Sequence, residues 1–196
     1  TFTQELIHFD GGNRTISFTA FCINGIIKTY WMGEKIREHP LQYGTATFCR
    51  SLFIEDLIEP SKHLIKSLNY TGVCEIEYLN DPIDKEYKLI EINARTWLWV
   101  GLAHACGVNY ALMIYNYVNN IEFNYPKSYK KDVFWKNTIT DSFYSLKALL
   151  QKKLKFNNCL ENLGKKKVRA AYSGRDIIPS LLFPFLLFAR AFSNNK

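Results

Sequence analysis

The sequence predicts an α+β protein built on a mainly antiparallel sheet with flanking helices. Three observations predict it: runs of β-branched and aromatic residues at 2–7, 15–23, 72–79 and 87–94, an Asn24-Gly25 dipeptide between two apolar runs, and helical spacing at 61–68 and 100–118. The order is strands, then a helix, then a hairpin, then helices, which is the α+β pattern rather than the strict alternation of a parallel sheet.

Taken in order, Phe2 to Ile7 and Thr15 to Ile23 read as strands, with Asp10-Gly11-Gly12-Asn13 as the tight connection between them. Asn24-Gly25 supplies the two positions that tolerate positive φ in a tight hairpin, so Ile26 to Met32 is expected as the return strand. Ser61 to Leu68 reads as a helix with Leu64, Ile65 and Leu68 at helical spacing behind a Ser cap. Gly72 to Leu79 and Tyr87 to Ala94 form a second strand pair around Asn80-Asp81-Pro82-Ile83-Asp84-Lys85-Glu86. Val100 to Cys106 and Ala111 to Val118 read as helices broken at Gly107.

The 196 residues, 47% of them hydrophobic and 15% aromatic, suffice for a sizeable core and exclude a disordered chain. Cys22, Cys49, Cys74, Cys106 and Cys159 are odd in number and widely spaced, which argues against a disulfide framework or a zinc site and favours a reducing, cytoplasmic setting. The four histidines show no metal-binding spacing. The formal charge of +7 is unevenly distributed. Residues 1–126 hold 10 Lys and Arg against 14 Asp and Glu, whereas residues 127–175 hold 13 against 3. That break divides the chain into a compact unit at 1–125 and a basic, apolar extension at 126–196. Because the basicity belongs to one segment, nucleic acid is not expected as a partner. The apolar run from Ile177 to Phe192 contains two prolines and is short for a membrane span, so it either docks on protein or lies on an anionic bilayer surface. A chain opening on Thr1 is read as a piece of a longer protein.

The informative residues lie on the second strand pair. Side chains alternate along a strand, so Glu75 and Glu77 share one face, as do Glu91, Asn93 and Arg95 on the next strand. A connection centred near Asp84 sets Glu77 opposite Glu91 and Glu75 opposite Asn93. Like charges placed opposite each other destabilise a sheet by up to about 1 kcal/mol, which makes sense if a cation sits between them or if the face is open to water. Two carboxylates and an amide suit magnesium, which takes hard oxygen donors and leaves room for phosphate oxygens. A solvated acidic hairpin is the alternative. Against it stand Ile90, Ile92 and Ala94 on the opposite face and Trp97-Leu98-Trp99-Val100 just after, which set the charges beside bulky apolar groups. On an extended chain Lys35 and Arg37 alternate onto one face, where both cations can meet one anion.

Gly72-Val73-Cys74-Glu75-Ile76-Glu77-Tyr78 followed by Tyr87-Lys88-Leu89-Ile90-Glu91-Ile92-Asn93-Ala94-Arg95 resembles the metal-binding hairpin of the ATP-grasp superfamily, whose hallmark is an acid or amide followed by Glu-x-Asn-x-Arg. The resemblance implies the C-terminal lobe of an ATP-grasp fold over 1–125, with Glu77, Glu91 and Asn93 as ligands of magnesium or manganese and Arg95 as a contact to phosphate. Thr3-Gln4-Glu5-Leu6-Ile7-His8-Phe9-Asp10 is similar to the linker on which adenine rests, which implies Gln4, Glu5 and Ile7 at the base and Asp10 at the ribose. Gly33-Glu34-Lys35-Ile36-Arg37-Glu38-His39-Pro40 with Tyr43-Gly44-Thr45-Ala46-Thr47 resembles the loop that these ligases lay over the triphosphate, which implies catalytic roles for Lys35 and Arg37. More narrowly, Asn93-Ala94-Arg95-Thr96-Trp97-Leu98-Trp99 with Ala103-His104-Ala105-Cys106-Gly107-Val108-Asn109 looks like the predicted carboxylate–amine ligases of that superfamily. The implied activity joins a small carboxylate to an amine through an acyl phosphate at the expense of ATP. As a lone lobe, the chain is expected to be inactive by itself. The competing expectation is an inactive interaction or membrane-peripheral module.

Overall fold

The computed structural model describes residues 14–39 and 44–152, together with Ile7, Leu154, Gly164, Lys165, residues 167–170, and 177, 178, 182, 185 and 186. The strand expected at 2–7 and the Asp10-Gly11-Gly12-Asn13 connection therefore lie outside the described residues, apart from Ile7. The strands are β1 (Thr15–Ile23), β2 (Ile26–His39), β3 (Thr45–Leu52), β4 (Gly72–Asn80), β5 (Tyr87–Asn93), β6 (Phe134–Lys136) and β7 (Lys167–Arg169). The helices are α1 (Ile58–Ser67), α2 (Val100–Ala105), α3 (Tyr110–Val118) and α4 (Thr138–Leu150). Among the described residues the strands form one sheet in the order β5-β4-β1-β2-β3-β6-β7. Every neighbouring pair is antiparallel except β6 with β7.

The Asn24-Gly25 turn forms as expected, with φ of 49° and 73°, the left-handed values that a two-residue hairpin connection requires. Its return strand does not stop at Met32. Strand β2 runs on to His39 because β3, whose first residues Thr45 to Thr47 were expected in a loop, pairs with it along that length. Helix α1 likewise begins earlier, at Ile58, and Ser61 is not its cap. Ser61 is buried instead, its hydroxyl 2.9 Å from that of Tyr78. Strands β6 and β7 and helix α4 come from the basic segment, and β6 and β7 extend the same sheet beyond β3.

Both faces of the sheet carry a core. On one face Ile16, Phe18, Met32 and Ile76 pack against Leu57 and Ile65 of the α1 region. On the other, Phe21, Trp31 and Cys49 pack beneath Trp97, Trp99, Leu102 and Met113. Trp97 and Trp99 are not on a continued strand, since the chain leaves β5 at Asn93 and turns into α2. Their rings nonetheless lie on Trp31, with centroids 6.3 and 5.2 Å away. Tyr110 of α3 is tied to Thr19 of β1, the two hydroxyls 2.9 Å apart, which locks the helices over this face. Among the described residues no helix is long and apolar enough to cross a membrane.

Candidate metal and phosphate site

The charged residues of β4 and β5 occupy the register that their spacing implies: Glu75 pairs with Asn93 and Glu77 with Glu91. Beyond this point Ile90 is an extra residue on β5, so Tyr78 faces Leu89 and the pairing slips by one toward the turn. Strand β1 continues the rows inward. Glu77 pairs with Ser17, which pairs with Gly33 of β2, and Glu75 pairs with Thr19, which pairs with Trp31. Directly paired residues share a face. The carboxylates therefore stand on the tryptophan-covered face, just past the edge of the aromatic cover.

Gly33 marks that edge. A Cβ there would lie 2.3 Å from the Trp31 ring and 2.6 Å from that of Trp99, so only glycine lets both indoles close over the strand. Two residues on, Lys35 returns to the same face and reaches across β1 to Glu77, donating to both carboxylate oxygens at 2.9 and 3.0 Å. Burial works against the charged form of Lys35. Glu77, followed by Glu38 and Glu75, outweighs it and raises the pKa above its ordinary value.

Glu75, 2% exposed, is the most enclosed acid of the cluster. It accepts a hydrogen bond from Ser17 Oγ at 2.8 Å and a long one from Asn93 Nδ2 at 3.4 Å. Burial, reinforced by Glu77, pushes its carboxyl up to about 7. Glu38 lies 3.9 Å from Lys35 and is likewise pushed up to about 7, by burial first, with Lys35 opposing and Glu77 adding. Neither was singled out as a site residue from sequence. The signal for Glu75 was its place on the strand face of Glu77, whereas nothing in the spacing marked Glu38.

Arg37 does not join Lys35. Strand β2 carries Ile36 as an extra residue between them, which reverses the alternation expected for an extended chain. Arg37 instead lies over Phe48 and forms a buried two-pronged pair with Asp141 of α4, Nε at 2.8 Å and Nη2 at 2.9 Å. The residues expected to form a loop over the ligand, Gly33 to His39, are thus strand; Pro40 and Tyr43 lie outside the described residues. Arg95 sits past the end of β5, exposed, with Nη1 donating to Thr96 O at 3.1 Å and its charge felt by Glu75. Gln4, Glu5 and Asp10 lie outside the described residues, and Ile7 is half-buried. Ile90 and Ile92 are 38% and 40% exposed, so the apolar surroundings of the acids come from β1, β2 and the tryptophans rather than from β5 itself.

The donor set fits a hard divalent cation in one particular way. Among the described residues no group of three or more His, Cys, Asp and Glu side chains is arranged as a metal cage. Glu77 and Glu91 with the Asn93 amide offer few but purely oxygen ligands, and Glu77 is already balanced by Lys35. Such a donor set would suit a cation shared with phosphate oxygens better than one held by protein alone.

Residues 40–124 match the family model described as carbamoyl-phosphate synthase L chain, ATP binding domain. The biotin carboxylase of Campylobacter jejuni, solved as a β-γ-ATP complex, superposes with a TM-score of 0.52 at 15% identity over 67% of this chain. The chain has the fold of an ATP-grasp lobe. Pyruvate carboxylase of Rhizobium etli also matches, with a TM-score of 0.49 at 12% identity over 62% of this chain. The chain spans 30% of the length of the first structure and 12% of the second. No curated protein matches it in sequence.

Proposed function

We propose that this chain is part of an ATP-dependent, magnesium-requiring ligase that activates a small carboxylate as an acyl phosphate and passes it to an amine. The observation that carries the reading is the convergence of Glu75, Glu77, Glu91, Asn93 and Lys35 on one sheet face, beside a wall of buried tryptophans. In it Glu77, Glu91 and the Asn93 carbonyl hold magnesium. The ion, when bound, neutralises phosphate charge.

Lys35, a compact ammonium on a flexible stem held beside Glu77, is the group that would contact a phosphate oxygen. Arg95 presents a planar fork suited to phosphate or to the acyl phosphate. Ser17 and Asn93 hold Glu75 beneath them. The adenine is assigned to Gln4, Glu5 and Ile7, and the ribose to Asp10, by resemblance to the superfamily's linker. No side chain forms a covalent intermediate; the chain binds, orients and neutralises charge.

Glu91→Gln tests the assignment, because it keeps the size of the side chain and removes the charge that a metal requires. Magnesium–ATP affinity, and ligase turnover in the full-length enzyme, should fall about a hundredfold. Without metal, stability should hold or rise by up to about 1 kcal/mol, since the repulsion with Glu77 is relieved. Unchanged affinity and turnover in the folded variant would falsify the metal site.

A second reading, a membrane-peripheral module, is favoured by the exposed side chains of Ile177, Ile178, Leu182, Phe185 and Leu186. Flotation with anionic liposomes, lost on removing residues 177–196, would support it, and no flotation of the intact chain would remove it.

A further inference from the structure

The irregularity that sends Arg37 to the reverse face also brings Glu38 to Lys35. On a regular strand Glu38, three residues after Lys35, would point away from it. Ile36 is an extra residue on β2, and one pair later Thr47 is an extra residue on β3, so the register that is lost is regained. The compensating bulges leave Lys35 and Glu38 together beside Glu77, with Arg37 reversed. Bulges interrupt the ladder, and this pair is secured from behind.

The group that secures it is Asp141 of α4. Its Oδ1 accepts from Arg37 Nε at 2.8 Å and lies 3.0 Å from Thr47 Oγ1, while its Oδ2 accepts from Arg37 Nη2 at 2.9 Å and pairs with Lys136 Nζ at 3.0 Å. The Thr47 hydroxyl is also 3.2 Å from the Arg37 carbonyl. One carboxylate, 2% exposed, thus touches both strands at their irregular positions. Its helix is anchored at the same place: Asn137 N donates to Thr47 O at 2.9 Å, and Asp141 N to Asn137 O at 2.8 Å.

We infer that Asp141 is a positioning residue for Lys35: by holding Arg37 and Thr47 from the reverse face it maintains the paired bulges that set Lys35 and Glu38 beside Glu77. The inference rests on the reading of Lys35 as a phosphate contact. It gives the basic segment a part in the site, because Asp141 and Lys136 both come from it.

A double-mutant cycle on the full chain separates the two ideas. Magnesium–ADP affinity is measured by calorimetry for the unmodified protein, Lys35→Met, Asp141→Asn and the double variant, each first shown to be folded by circular dichroism. Lys35→Met should weaken binding about tenfold and Asp141→Asn about fivefold, and the double variant should match Lys35→Met within about twofold, because a residue acting only through Lys35 has nothing left to position. A merely structural Asp141 would lower the melting temperature and weaken the two backgrounds by equal factors. Equal factors, or unchanged affinity in folded Asp141→Asn, overturn the inference while leaving Lys35 in its role. Unchanged affinity in Lys35→Met, or no magnesium–ADP binding by the unmodified chain, overturns the site reading itself. Should Asp141→Asn fail to fold, Thr47→Val removes only the hydroxyl that the β3 bulge offers to Asp141 and must show the same dependence on Lys35.

Discussion

Glu75 and Glu38 hold protons to a higher pH than free carboxyls do, and each makes a statement about stability. Burial raises both to about 7 from an ordinary 4.5. The folded chain therefore binds more protons than the unfolded chain between these values. Their contribution is fully present below about pH 4.5 and is lost as pH rises through about 7. Asp141 has the opposite sign. Burial opposes its charge, but Arg37 and Lys136 prevail and hold it below the usual range, so its contribution is present above 3.8 and lost as pH falls through the depressed value. His39, lowered by burial and Lys147, also favours higher pH, so the whole-protein profile is mixed. Glu75→Gln isolates one contribution. In magnesium-free denaturant titrations, the stability of the parent minus that of the variant should decline as pH rises from about 4.5 to 7 and then level off. A difference that stays constant with pH would show that folding does not shift the Glu75 carboxyl.

At the scale of elements, the hairpin of β4 and β5 was legible and the neighbourhood of Lys35 was not. Alternation put Glu75 and Glu77 on one face and Glu91 and Asn93 on one face, and a connection centred near Asp84 supplied the register that sets Glu77 opposite Glu91. The bulge at Ile36 has no local sign. It depends on Asp141, 104 residues along the chain from Arg37, so the expected convergence of Lys35 and Arg37 failed at a tertiary contact. Strands β6 and β7, three residues each, are too short to show a period, and β3 was masked by the loop-like Tyr43-Gly44-Thr45 at its start. Gly33, read only as part of a loop, proves to be the element's tightest packing constraint. Gly33→Ala should destabilise the protein by about 1–3 kcal/mol, since the added methyl must displace two buried indoles. Denaturant unfolding measures it, and a variant as stable as the parent would mean that Trp31 and Trp99 repack at no cost.

For the whole molecule, the sheet separates two cores with different duties. The core beneath α1 lies on the sheet face opposite Glu75 and Glu77, whereas the core beneath α2 and α3 reaches Gly33, on the strand that carries Lys35. A sheet transmits stability through both faces but orients side chains on one face at a time. Two truncations of comparable cost should therefore diverge in function. Ile65→Ala, in the α1 core, should cost about 2–5 kcal/mol, and Trp99→Ala about 3–5 kcal/mol. Under conditions in which both variants remain folded, Ile65→Ala should bind magnesium–ADP within about twofold of the parent. Trp99→Ala should bind about tenfold more weakly, because it opens the aromatic cover over Gly33, two residues before Lys35 on the same strand face, to water, which weakens charge interactions there. Calorimetry on the two variants, with melting curves to fix the folded fraction, decides the matter. Equal losses of affinity would mean that binding follows global stability, and that the tryptophan wall is only core.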